Sequence, residues 1–92
     1  MRIYEVGIMG KIEKLTKDID KLKAEIEKHE DKIHQAKEMH KSGKIDKDQL
    51  SRARHKYQTK IRECRAAIHR KEKARLHFEK EEKEKREKAK GN

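Results

Sequence analysis

A chain of 92 residues, 30% apolar and only 3% aromatic, holds one small domain at most and too little apolar surface for a conventional globular core. Half of the residues are charged, the formal net charge is +10 and proline is absent. That composition argues against a globular enzyme and for long helices with a narrow dry seam; periodic placement of the few apolar residues is what separates it from a disordered polyampholyte.

Residues 1–10, MRIYEVGIMG, bring Ile3, Tyr4, Val6, Ile8 and Met9 together, but Glu5 interrupts the apolar run and Gly7 and Gly10 act as breakers. Neither a signal-peptide core nor a membrane span can be built there, so a soluble, cytoplasmic protein with no membrane partner is expected. The single cysteine, Cys64, excludes an internal disulfide framework and agrees with a reducing compartment. The segment is expected to be a short extended piece or a frayed helix start. Ile3, Tyr4 and Val6 make it a candidate docking peptide for a protein partner, the competing expectation being a tail that packs on Leu76 and Phe78.

The spacing predicts a first helix over about 8–41. Ile8, Ile12, Leu15, Ile19, Leu22, Ile26, His29, Ile33 and Ala36 advance in alternating steps of four and three, which is a heptad stripe with Ile12, Ile19, Ile26 and Ile33 at position a. A turn over 42–46 follows. Gly43 suits the left-handed residue that ends a helix, while Asp46 and Gln49 have the spacing of a capping box and Ile45 and Leu50 that of a hydrophobic staple. A second helix is predicted over about 47–78, with a stripe of Leu50, Ala53 or Arg54, Tyr57, Ile61, Cys64, Ile68, Lys71, Arg75 and Phe78. Residues 79–92 have no apolar seam and form a charged tail that either extends the helix as a solvated rod or frays.

Folding the chain at the turn provides a test of the two stripes, because antiparallel partners must have residue numbers of constant sum. The sums stay at 86 or 87, from Ala36 opposite Leu50, through His29 opposite Tyr57 and Ile19 opposite Ile68, to Ile8 opposite Phe78. The expected fold is therefore all-α: a long antiparallel two-helix coiled-coil hairpin over 11–78. Each arm is about 50 Å long at the helical rise of roughly 1.5 Å per residue. Lys71 and Arg75 fall in core positions and must carry their charges outward along aliphatic stems. So thin a seam leaves little net stability, which makes a homodimer or docking on a larger protein complex an expected remedy.

Charge is distributed unevenly between the arms. From Lys44 to Phe78 there are twelve Lys or Arg against four Asp or Glu, whereas Lys11 to Lys41 has nine against eight. Arg52, Lys56, Lys60, Arg62, Arg65, Arg70 and Lys73 lie outside the second stripe and are the candidate phosphate contacts, since a cationic rod attracts polyanions. Both aromatic residues of the seam are committed to it, so contact with backbone and shape is expected rather than base reading.

No catalytic constellation, glycine-rich phosphate loop or nucleophile elbow is present, so no small-molecule substrate or cofactor is expected. The six histidines do not make a metal site: His29 and His34 are five residues apart, as are Cys64 and His69, where one helical face needs three or four. His29 reads instead as a polar seam residue hydrogen-bonded to Tyr57. The expected function is a non-enzymatic module that binds structured RNA or a ribonucleoprotein, ribosomal RNA included, through the basic second helix. The alternative is a coiled-coil adaptor or oligomerisation module that binds proteins.

Overall fold

The computed structural model describes the backbone of residues 3–90 and the side chains of residues 9–85. It is a hairpin of two α-helices, α1 (Ile3–Lys41) and α2 (Lys47–Lys90), that pack along their length. The molecule measures 71 × 19 × 13 Å, with a radius of gyration of 20.6 Å. A compact domain of this size would have a radius near 12 Å. The fold is the all-α antiparallel hairpin expected from the two stripes.

The turn is built from local hydrogen bonds that each have a residue-level cause. The N–H of Lys44 donates to the Met39 carbonyl at 2.9 Å and that of Gly43 to the His40 carbonyl at 3.1 Å, the paired bonds of a Schellman ending. This geometry needs a left-handed residue between them, and Gly43 supplies it at φ +80°. On the far side, the Asp46 N–H donates to Gln49 Oε1 at 2.9 Å and the Gln49 N–H to Asp46 Oδ1 at 2.8 Å. Those reciprocal bonds satisfy two donors that the start of α2 would otherwise leave open. Ile45 and Leu50, flanking the cap, are both half-buried.

The seam follows the predicted register. Ile19, Ala36, Ile61, Cys64 and Ile68 are buried, Ile19 to 1% exposure. Ile12, Leu15, Leu22, Ile26, His29, Ile33, Leu50, Tyr57, Lys71, Arg75 and Phe78 are half-buried. Opposite Ile33, where two residues competed, Ala53 is half-buried and Arg54 exposed. The inward positions of α2 therefore run 50, 53, 57 and 61, eleven residues in three turns, which relaxes the heptad locally and turns Arg54 out to water. His29 and Tyr57 meet as stacked rings, centroids 5.9 Å apart and planes at 28°, rather than through the expected hydrogen bond. Two unlike rings of similar width fill that layer more completely than one side-chain hydrogen bond would.

Both helices run beyond the seam, each by one of the alternatives open for its terminal segment. Helix α1 begins at Ile3 rather than near residue 8, so the backbone of residues 3–10 is helical, not extended. Gly7 and Gly10 do not stop it, because a glycine within a helix costs only about 0.5–1 kcal/mol relative to alanine and forbids nothing sterically. Helix α2 runs past residue 78 to Lys90, the first of the two alternatives for the charged tail, carried by a Glu- and Lys-rich sequence of high helix propensity. The side chains of Ile3, Tyr4, Val6 and Ile8 lie outside the described residues, and with them the docking-peptide expectation and the Ile8–Phe78 layer. No helix among the described residues is long and apolar enough to cross a membrane.

Candidate nucleic-acid interface

In an antiparallel pair, positions g and c of one helix border positions g and c of the other, and e and b border e and b, so the hairpin has two broad faces separated by the seam. Contacts between the two helices show which residues share a face. The Cys64 thiol donates to Glu25 Oε2 at 3.5 Å, and Lys71 Nζ lies 3.4 Å from Asp18 Oδ2. Leu22, Glu25 and Lys28 of α1 line one cleft with Lys60, Glu63 and Cys64 of α2. On the opposite side, Arg75 donates to Thr16 Oγ1 at 3.3 Å, and Glu30, His34 and Lys37 border Gln58, Arg62 and Arg65.

This arrangement divides the seven candidate phosphate contacts. All seven are exposed. Lys56, Lys60 and Arg70 lie on the first face, Arg62 and Arg65 on the second, and Arg52 and Lys73 at position f on the back of α2. The excess charge of α2 thus encircles the helix instead of forming one basic face.

Helix α1 completes a face that α2 alone does not. Its near-balanced charge is sorted by side: Lys11, Lys14, Lys21, Lys28 and Lys32 all occupy g or c. Together with Lys56, Lys60 and Arg70 they put eight exposed cations against five acids, Asp18, Glu25, Glu63, Glu81 and Glu84, at positions g and c of the first face, the last two beyond the seam. At positions e and b the second face has six cations, Lys23, Lys37, Lys41, Arg62, Arg65 and Lys83, against seven acids, Glu13, Asp20, Glu27, Glu30, Asp48, Glu72 and Glu79. The five α1 lysines escaped the sequence reading because a net count along a segment averages over its sides; the heptad letters would have found them.

Local contacts engage two of the acids on this face. None of its eight cations forms an ion pair among the described residues. Asp18 is instead taken by Lys71, which rises from a seam position, and Glu25 accepts the thiol of Cys64. Burial first, then the Glu25 hydrogen bond and the carboxylates of Glu25 and Glu63, push the Cys64 thiol pKa up, so the group stays neutral and adds no competing charge. Lys56 and Lys60 hold their ammonium groups 5.5 and 5.9 Å from the Tyr57 ring centre, and Lys11 lies 5.2 Å from that of Phe78.

Compared with known proteins, the chain matches no family model, no curated sequence and no solved structure. Its chemistry therefore has to be read from its own geometry. The clefts between the helices are shallow and open, and no group of three or more histidine, cysteine or acidic side chains among the described residues is placed to hold a metal ion. What the molecule offers is an extended cationic surface on a stiff rod.

Proposed function

We propose that the hairpin is a non-enzymatic module that binds structured RNA or a ribonucleoprotein by laying its g/c face along the phosphate backbone. The observation that carries this reading is the sorting of charge across the seam: eight exposed cations against five acids on one side, none of the eight in an ion pair among the described residues, and six cations against seven acids on the other. A surface whose only purpose was solubility would have no reason to separate signs by side. The 71 Å length lets one face meet successive phosphates without bending the protein, and the aromatic rings of the seam remain half-buried, which favours recognition of backbone and shape.

Salt titration tests the proposal. Affinity for a structured RNA should fall linearly on a log–log plot, with a slope near 0.7–0.9 for each phosphate neutralised. Reversing Lys21, Lys28 and Lys60 to Glu should abolish binding while helicity by circular dichroism is kept; reversing Arg62 and Arg65 on the other face should leave most of it. Absence of RNA binding at about 50 mM salt, where phosphate contacts are strong, would sink the reading. A discrete oligomer lost on deleting residues 1–10, with no RNA affinity, would establish the adaptor alternative.

A further inference from the structure

The charge on the g/c face is not uniform along the rod. In its open-end half, Asp18 and Glu25 alternate with Lys14 and Lys21 at i,i+4 spacing, so opposite charges interleave. Near the turn the pattern changes: Lys28 and Lys32 of α1 form one like-charge i,i+4 pair and Lys56 and Lys60 of α2 another, on either side of the stacked His29 and Tyr57 rings. Like charges at this spacing cost a helix stability, and here two such pairs face each other across one layer of the seam. Folding alone gives no reason for that placement.

On the turn side of the rings the surroundings also leave room for an anion. Glu25 and Glu63 border the rings only on the open-end side, in the cleft shared with Lys28 and Lys60. The cleft on the turn side is lined by Lys32, Gln35, Gln49 and Tyr57 over a floor of small and apolar residues, and no carboxylate lines it. Asp46 is engaged as the cap of α2, and because Gln49 Oε1 is occupied by the Asp46 N–H, the Gln49 amide nitrogen is left to donate outward.

We infer that Lys28, Lys32, Lys56 and Lys60, grouped around the His29–Tyr57 rings, form the principal anchor for RNA and hold two neighbouring phosphates of one strand, one beside each lysine pair. Each pair spans about 6 Å along its helix axis at the rise of roughly 1.5 Å per residue. Arg70, Lys21, Lys14 and Lys11 extend the contact toward the open end but bind less firmly, since acids stand between them. This rests on the RNA-binding reading and adds to it a location.

Two quadruple variants of the full chain separate the anchor from a diffuse field, because each removes the same four charges with a residue of similar helix propensity. One carries Lys28→Gln, Lys32→Gln, Lys56→Gln and Lys60→Gln; the other carries Lys11→Gln, Lys14→Gln, Lys21→Gln and Arg70→Gln. Circular dichroism confirms that both remain helical, and affinity for a structured RNA is measured at several salt concentrations. The anchor predicts a loss of more than about 30-fold in the first variant and about three-fold in the second, with the larger fall in salt slope also in the first. Equal losses overturn the anchor and leave the RNA-binding face standing. No loss in either, with wild-type binding intact, overturns both, as does a wild type that does not bind. Tyrosine emission gives an independent readout in a Tyr4→Phe chain, where Tyr57 is the one remaining tyrosine. RNA should perturb that emission in the second variant, and an unperturbed signal at saturation overturns the anchor. Poly-glutamate bound as tightly as RNA, with the same dependence on the first four lysines, would reassign the anchor to acidic protein.

Discussion

Lys71 Nζ sits 3.4 Å from Asp18 Oδ2, although the Lys71 backbone occupies a core position opposite Leu15. Its stem fills the seam and its charge leaves sideways to the g/c face, an arrangement Arg75 repeats on the other side by reaching Thr16 Oγ1 at 3.3 Å and lying 3.8 Å from Glu79. Both partners of the Lys71 pair are about one-third exposed, so the ion pair itself contributes less than about 1 kcal/mol.

Replacing Lys71 by Leu should therefore stabilise the hairpin. The new side chain meets Leu15 in a position that is already half-buried, and the lost ion pair is the smaller quantity. The expected gain is about 1 kcal/mol of unfolding free energy in urea, in line with burying roughly one added apolar group. Lys71→Ala should lose stability instead, since the stem contacts disappear with the charge.

Gly43 and Asp46 should be separately costly to replace. A Cβ at residue 43 would meet no atom within 4 Å, so Gly43→Ala exposes the conformational penalty of φ +80° alone, about 1–2 kcal/mol. Asp46→Ala removes the acceptor for the Gln49 N–H and should cost about 1 kcal/mol. Asn at residue 43 should recover part of the first loss, because it tolerates the left-handed region; equal losses for Ala and Asn would contradict this account.

Packing strength should fall from the middle of the seam to its open end. Ile61, at 7% exposure, should lose about 1 kcal/mol on replacement by Val, and half-buried Ile12 less than half as much. Urea midpoints of the two single variants check the gradient.

Cys64 provides a pH signature. Its thiol pKa is raised in the folded chain by burial and by Glu25, so the contribution of the protonated thiol to stability is whole below the unfolded thiol pKa and is lost as pH rises through the folded value. Wild type should thus lose stability relative to Cys64→Ala in the alkaline range, with no difference in slope near neutrality. Alkylation with iodoacetamide at pH 8 should run at least tenfold slower than in urea, an order set by burial and reduced thiolate, and Glu25→Gln should hasten it.

The hairpin was legible in the sequence because each of its determinants is local or one-dimensional. A glycine at residue 43, the Asp46–Gln49 spacing and two apolar stripes of matching sum specify turn, register and pairing without knowledge of any side-chain position. The helix ends were less legible, since Gly7, Gly10 and the charged tail carry propensities of a few tenths to about 1 kcal/mol, too small to mark a boundary.

The charged face depended on tertiary structure. Counting charge along α2 identified exposed cations but grouped Arg62 and Arg65 with Lys56, Lys60 and Arg70, which the folded chain sets on opposite sides of the seam. Counting along α1 returned near-balance and hid five lysines on one side. The sequence by itself determined that the chain turns back at Gly43 and which residues meet in the seam, through backbone conformational preference and hydrophobic period. Antiparallel packing decided which flank of α1 lies beside which flank of α2, and so brought eight cations from two helices onto a single surface. A surface charge pattern is a property of both helices at once, and segment totals along either one do not contain it.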